Sequence, residues 1–140
     1  MKRAAYLLII ISIVFVSCSG TKKLPGVNIK NGETSVEDSV EYELIVFDPG
    51  FETWYLSHSR PSWYHSQNYY ESWNRQYVTE WNYKATSSRY SRYFDTTIDY
   101  EPFIDYGLEL NHRLFYYFQY VEKVLRIDIL SPGMSPHTVF

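Results

Sequence analysis

A chain with a single cysteine, Cys18, cannot cross-link itself. Whatever holds it folded must therefore come from packing and hydrogen bonding rather than from a disulfide. Beyond Ser17 the sequence offers 14 Tyr, 7 Phe and 4 Trp, Tyr6 and Phe15 being the aromatics that precede it. Each ring can bury roughly 150–250 Å², so the first expectation is a core built from aromatic side chains. Residues 18–140 number 123, which suits one domain of ordinary size.

The cysteine also marks a boundary. Lys2 and Arg3 are followed by an apolar run over residues 4–16, broken only by Ser12, which is the layout of an export signal. A membrane-spanning helix needs about 20 apolar residues and a signal core only roughly 7–15, so residues 1–17 are expected to be a signal peptide. Phe15-Val16-Ser17-Cys18 resembles the lipobox of bacterial lipoproteins, with Phe15 where leucine is usual. That resemblance implies cleavage before Cys18, acylation of Cys18 and attachment to the lipid bilayer. Two acyl chains are needed for stable anchoring, each methylene contributing about 0.8 kcal/mol. Ser19 stands where an aspartate retains many such proteins at the inner membrane, which implies the outer membrane. Lys22 and Lys23, rather than an acidic cluster, imply its periplasmic face. The competing readings are a cut nearby that leaves Cys18 a thiol, or an uncleaved anchor helix.

Without Lys2 and Arg3 the 13 basic side chains become 11, against 16 acidic ones, a formal charge of −5. That balance argues against nucleic acid and against electrostatic attraction to anionic headgroups. Residues 18–40, with Gly20, Pro25, Gly26, Asn31 and Gly32 and no sustained apolar period, read as a lipid-anchored flexible tether. The competing reading there is a short edge strand using Val27 and Ile29.

Residues 41–131 read as the folded domain, with 132–140 as an exposed tail. Residues 42–47 form an apolar run that predicts a strand, stopped by Asp48-Pro49-Gly50. Asp48 before Pro49 is a helix start, and Phe51, Trp54 and Tyr55 share one face of a short helix ending near Ser57. After a loop over 58–66, a long helix begins near Ser66 or Asn68, where Asn68 and Glu71 have capping-box spacing, and runs to about Ser87. Its Tyr70, Trp73, Tyr77 and Trp81 fall within an arc of roughly 80°. Asn74 and Glu80 interrupt that aromatic face. Residues 87–105 lose the period and read as a tyrosine-rich connection packed onto the domain, with an echo, Ile98-Asp99-Tyr100 and Ile104-Asp105-Tyr106. A second long helix is expected from Tyr106 to Glu122 with Asp105 as N-cap, placing Leu110, Leu114, Tyr117, Phe118 and Val121 inward and His112 and Gln119 off that face. Leu125, Ile127 and Ile129 then alternate with Arg126 and Asp128, which predicts a strand. The expected fold is a small single α+β domain in which the N- and C-terminal strands pair and two or three aromatic-rich helices cover one face.

Leu44-Ile45-Val46-Phe47-Asp48-Pro49-Gly50-Phe51, Tyr77-Val78-Thr79-Glu80-Trp81-Asn82 and Ile104-Asp105-Tyr106-Gly107-Leu108-Glu109 are similar to segments of a family of Gram-negative lipoproteins classed as a domain of unknown function. The likeness spans about residues 42–130. It implies a lipoprotein with one compact domain and transfers no catalytic residue.

Chemistry is sparse in the sequence. Nucleophile elbows, phosphate loops and zinc motifs are all missing. His58 and His65 would lie about 10 Å apart along a helix, His112 falls on a polar face and His137 in the tail, so neither a metal nor a cofactor is expected. Asn74, Glu80, Asp99 and Asp105 are the candidate binding residues, being polar among aromatics. The pattern favours a non-enzymatic, periplasm-facing binding or interaction module that uses aromatics near residues 88–105 to engage an envelope protein or glycan. The alternative is a small envelope glycan hydrolase pairing Glu80 with Asp99, Glu101 or Asp105. The anchor is open to direct test: in cells fed labelled fatty acid, a Cys18→Ser variant is expected to lose the label and leave the membrane fraction, and continued labelling would refute the lipobox assignment.

Overall fold

The computed structural model describes residues 23–24, 26–32 and 42–136. Cys18, the signal segment and residues 137–140 lie outside them. Five elements and one short turn follow in order: β1 (Val27–Asn31), β2 (Tyr42–Val46), α1 (Pro49–His58), a 3₁₀ turn (Ser62–Tyr64), α2 (Gln67–Thr86) and α3 (Gly107–Lys123). The domain is mixed α+β, with a two-stranded sheet set against an aromatic-rich helical cluster.

The first strand pairs, but not with the C-terminal segment. β2 runs antiparallel to β1, with Val27 opposite Val46 and Ile29 opposite Leu44. The strand pair thus takes in residues that composition assigned to the tether, and the folded part reaches back to Leu24, which is buried and donates its N–H to the Tyr93 carbonyl at 2.9 Å. Val27, Ile29 and Leu44 supply the inward side chains that justify the strand energetically, despite the glycines on either side.

Residues 125–129 keep the alternating burial that predicted a strand, Leu125, Ile127 and Ile129 facing in and Arg126 and Asp128 out. Their backbone nonetheless forms no ladder. Arg126 adopts φ 59°, incompatible with an extended run, and side chains take the place of a partner strand. One oxygen of Glu122 accepts the amides of Ile129 and Leu130 at 3.2 and 2.9 Å, while the Lys84 ammonium donates to the carbonyls of Asp128 and Ile129 at 2.8 and 2.6 Å. The second oxygen of Glu122 receives Tyr77 and Ser135 hydroxyls at 2.9 and 2.8 Å. Through that last bond, and with Pro136 buried, the start of the expected tail is tied to the helices.

The helix starts follow local chemistry. Asp48 accepts from Gly50 N–H at 2.7 Å to cap α1, with Pro49 at its first position. Gly50 lies close under Tyr120, and a Cβ there would meet the Tyr120 hydroxyl at 2.6 Å, so a larger residue would have to displace that ring. Ser66 caps α2, so Asn68 already lies inside the helix and Glu71 bonds Gln67 rather than closing a capping box. At α3 the Asp105 carboxylate accepts the Gly107 N–H at 2.9 Å, and Gly107 itself sits at φ 76°, where a side chain would strain the backbone.

α3 is the centre of the molecule. β2, α1, α2 and the 3₁₀ turn all lie against it, and residues 114–121 are buried without a gap. His112 and Gln119, expected off the apolar face, are consequently buried as well. Phe51 reaches into this core from α1, with edge contacts to the Tyr117 and Tyr120 rings at 5.5 and 5.7 Å. Tyr77 and Phe118 stack at 4.8 Å between α2 and α3. The connection 87–105 is packed down as expected: Phe94, Ile98 and Tyr100 are buried, Trp81 donates to Thr96 O at 2.8 Å, and the Asn82 amide both donates to and accepts from Ile98. The sequence echo has a structural counterpart, for Tyr100 and Tyr106 stack on each other at 4.8 Å while Asp99 and Asp105 both face water.

Because Glu122 satisfies two amides and two hydroxyls at once, Glu122→Ala is expected to cost about 2–4 kcal/mol of stability. In hydrogen exchange it should deprotect residues 129–135 before the helices, and unchanged protection there would show that packing of Ile129 and Leu130 alone holds the segment.

Candidate functional site

Beside α3, where β2 and α1 approach it, lies a cleft of about 310 Å³ lined by Tyr42, Glu43, Leu44, Tyr55, Glu109, Leu110 and Arg113. Strand alternation turns Glu43 outward while Leu44 enters the core. Glu109 and Arg113, four residues apart, lie one above the other on α3. Arg113 is ion-paired with Glu52 of α1, and its guanidinium lies 5.6 and 5.3 Å from the Phe51 and Tyr55 ring centres. Its Nε has no acceptor among the described residues. Glu109 accepts a 2.5 Å bond from the Ser62 hydroxyl, which fastens the 3₁₀ turn to the rim of the cleft.

Behind that rim, His112 fixes the loop between α1 and the turn. Its two ring nitrogens lie 2.7 Å from the Tyr55 hydroxyl and 2.8 Å from the Arg60 carbonyl. A carbonyl can only accept, so Nε2 carries the proton and Nδ1 accepts from Tyr55. The Arg60 N–H in turn donates to the Tyr116 hydroxyl at 2.9 Å, leaving neither backbone group of Arg60 unpaired. Burial holds the His112 imidazole below its ordinary range and pushes the Tyr55 phenol up to about 12, against the pull of Arg113. His112 is a neutral structural tie at neutral pH.

The next segment outward is aromatic and exposed. Leu56, at the end of α1, and Trp63, on the 3₁₀ turn, are 80% and 76% exposed, and Tyr64 is half exposed beneath the Arg60 guanidinium, 5.4 Å from its ring centre. His65 continues the row by stacking on Tyr69 at 3.9 Å. The connection 88–105, by contrast, turns Phe94 and Tyr100 inward and offers Phe103, 97% exposed, as its one large apolar side chain fully in water. In the sequence, residues 58–66 read as a loop. The signal there was Ser62-Trp63-Tyr64 after Pro61, two large rings with no helical or strand partner position to bury them.

The residues singled out from the sequence are dispersed. Asn74 is fully buried between α2 and α3, donating to the Asn111 carbonyl and side chain at 2.9 and 3.1 Å, and Asn111 Oδ1 also receives the Tyr100 hydroxyl at 2.8 Å. Asn74 therefore fixes how the two helices meet and is out of a ligand's reach. Glu80 lines a separate shallow groove of about 270 Å³ with Arg75, Gln76, Thr79, Leu130 and Met134, whose walls include neither Asp99 nor Asp105. Asp105 is engaged by Gly107 N–H and by Gln67 Nε2 at 2.6 Å. Asp99 is exposed. No helix among the described residues is long and apolar enough to cross a membrane.

A family model described as a family of unknown function, DUF6146, matches residues 6–135, and the chain belongs to that family. No curated protein and no solved structure matches it.

The His112 tie makes the domain acid-sensitive in a defined window. Above about pH 6.5 the imidazole is neutral in both folded and unfolded chains. Below it the unfolded chain takes up a proton that buried His112 refuses, so stability falls with acidification until the pH passes the lowered folded value. His65, also lowered by burial, acts with the same sign. Urea melts at pH steps below 7 are expected to show this slope, reduced in His112→Gln; an identical slope would assign the acid loss to other groups.

Proposed function

We propose that this member of the DUF6146 family is a lipid-anchored envelope protein, held at the periplasmic face of the outer membrane through acylated Cys18, whose domain binds an envelope protein or glycan rather than catalysing a reaction. One observation carries the binding role: Leu56, Trp63 and Tyr64, close together in the sequence, stand exposed in a domain that buries most of its other rings, and the Ser62 hydroxyl ties that segment to Glu109 at the rim of a polar cleft. Leaving a leucine in water forgoes roughly 1.5–3 kcal/mol of burial, and tryptophan and tyrosine are the residues that dominate recognition surfaces. Lys23 pairs with Asp95 at 3.3 Å and Leu24 is buried, five and six residues after Cys18 in the sequence.

The alternative is a glycan hydrolase built on Glu80 with Asp99 or Asp105, although the groove that Glu80 lines includes neither aspartate. A pull-down from solubilised envelope separates the readings. The wild-type domain is expected to recover a partner or glycan, and Trp63→Ala to reduce recovery about tenfold. Equal recovery by the variant would remove Trp63 from the binding surface, and cleavage of glycan by the purified domain would overturn the non-enzymatic reading.

A further inference from the structure

The cleft itself constrains what can enter. Its charged walls are Glu43 and Glu109, which only accept hydrogen bonds, and Arg113, which only donates. Glu43 has no side-chain partner among the described residues, and Glu109 spends one oxygen on Ser62. Arg113 directs a bond at Glu52 and retains further donor capacity. An anion would find Arg113 already neutralised by Glu52 and would face two more carboxylates. A bare ammonium would satisfy the carboxylates and oppose the guanidinium. A hydroxyl meets both demands, donating to a carboxylate and accepting from the guanidinium through the same oxygen, and adjacent hydroxyls can do so in pairs.

From this the geometry points to a neutral saccharide, with one or two sugar units seated among Tyr42, Glu43, Glu109 and Arg113 and the adjoining unit stacked on Trp63. The inference rests on the binding-module reading above and names its ligand class. The volume, about 310 Å³, lies at the lower end of small-molecule sites, about 300–1,000 Å³, which suits the end of a chain rather than a long oligomer. Tyr42 and Tyr55 give apolar ring surface inside the cleft, and the Ser62–Glu109 bond holds the turn that carries Trp63 next to it. Tyr55 donates to His112, so its hydroxyl is oriented before any ligand arrives.

The test is a protein-observed NMR titration of the whole folded domain with three neutral tetrasaccharides, chitotetraose, maltotetraose and mannotetraose, beside trilysine and a tetragalacturonate. At least one neutral sugar is expected to shift the backbone signals of residues 42, 43, 109 and 113 and the Trp63 indole. Glu43→Ala and Trp63→Ala, both exposed and neutral to folding, are each expected to weaken that binding about tenfold. Shifts at these positions with trilysine or tetragalacturonate alone would overturn the saccharide assignment and leave the binding module standing. Binding of a neutral sugar that neither variant weakens would overturn the site. No shift in the cleft with any probe, while Trp63→Ala still reduces envelope pull-down, would also overturn the saccharide inference and not the broader function. Loss of both would remove the two together.

Discussion

Strand β2, helices α1 and α2 and the 3₁₀ turn are all fastened to the buried helix α3. A helix covered on several sides is ordinarily apolar all round, yet this one carries Asn111, His112 and Gln119 in its buried zone and Glu122 at its end. Each is used as a tie to a different part of the chain. Asn111 holds Asn74 of α2 and Tyr100 of the connection, His112 holds Tyr55 of α1 and the Arg60 backbone, Gln119 donates to Tyr77 at 2.9 Å, and Glu122 holds the C-terminal segment. In a chain with no second cysteine, these bonds supply the specificity of docking that a disulfide could not. Their energetic weight lies in the penalty of leaving any one partner unpaired inside a low-dielectric core.

The tyrosines make such a hub workable. A tyrosine brings a large apolar ring and one hydroxyl, so it fills volume and completes a polar tie with the same side chain. Tyr55, Tyr70, Tyr77, Tyr100 and Tyr116 all place their hydroxyls on a named partner within the domain. Burial pushes the phenols of Tyr70 and Tyr77 upward, and the Glu122 carboxylate pushes Tyr77 further. The abundance of tyrosine is thus mostly structural, and among the described residues the large rings left in water are those at 47, 63, 64, 83 and 103.

Much of the helical layout was legible because local rules govern it. The Asp48-Pro49 start, the aromatic stripe of α2 and the inward face of α3 all follow from periodicity and capping, and the packed connection followed from its retained aromatics. The site was less legible. The cleft joins residues 42–44, 55 and 109–113, and no spacing in the sequence reveals that these three stretches meet. Asn74 drew attention as a polar residue among aromatics, and its real partner, Asn111, lies on another helix. Residues 58–66 read only as a loop, since a loop has no period by which exposure of its rings could be judged.

The C-terminal segment shows where local information ends. Sequence alone determined that Leu125, Ile127 and Ile129 would face inward and their neighbours outward, and that no disulfide could brace the fold, because both depend only on side-chain polarity and composition. It could not determine which backbone would pair with β2, since a strand's partner is chosen by whichever segment the folded helices bring within about 5 Å of its edge. The tertiary structure decided in favour of Val27–Asn31, and it gave the amides and carbonyls of the C-terminal segment to Glu122 and Lys84 instead. The same long-range packing decided which rings are buried and left Leu56, Trp63 and Tyr64 in water, because exposure depends on which segments the folded helices bring together and not on local sequence.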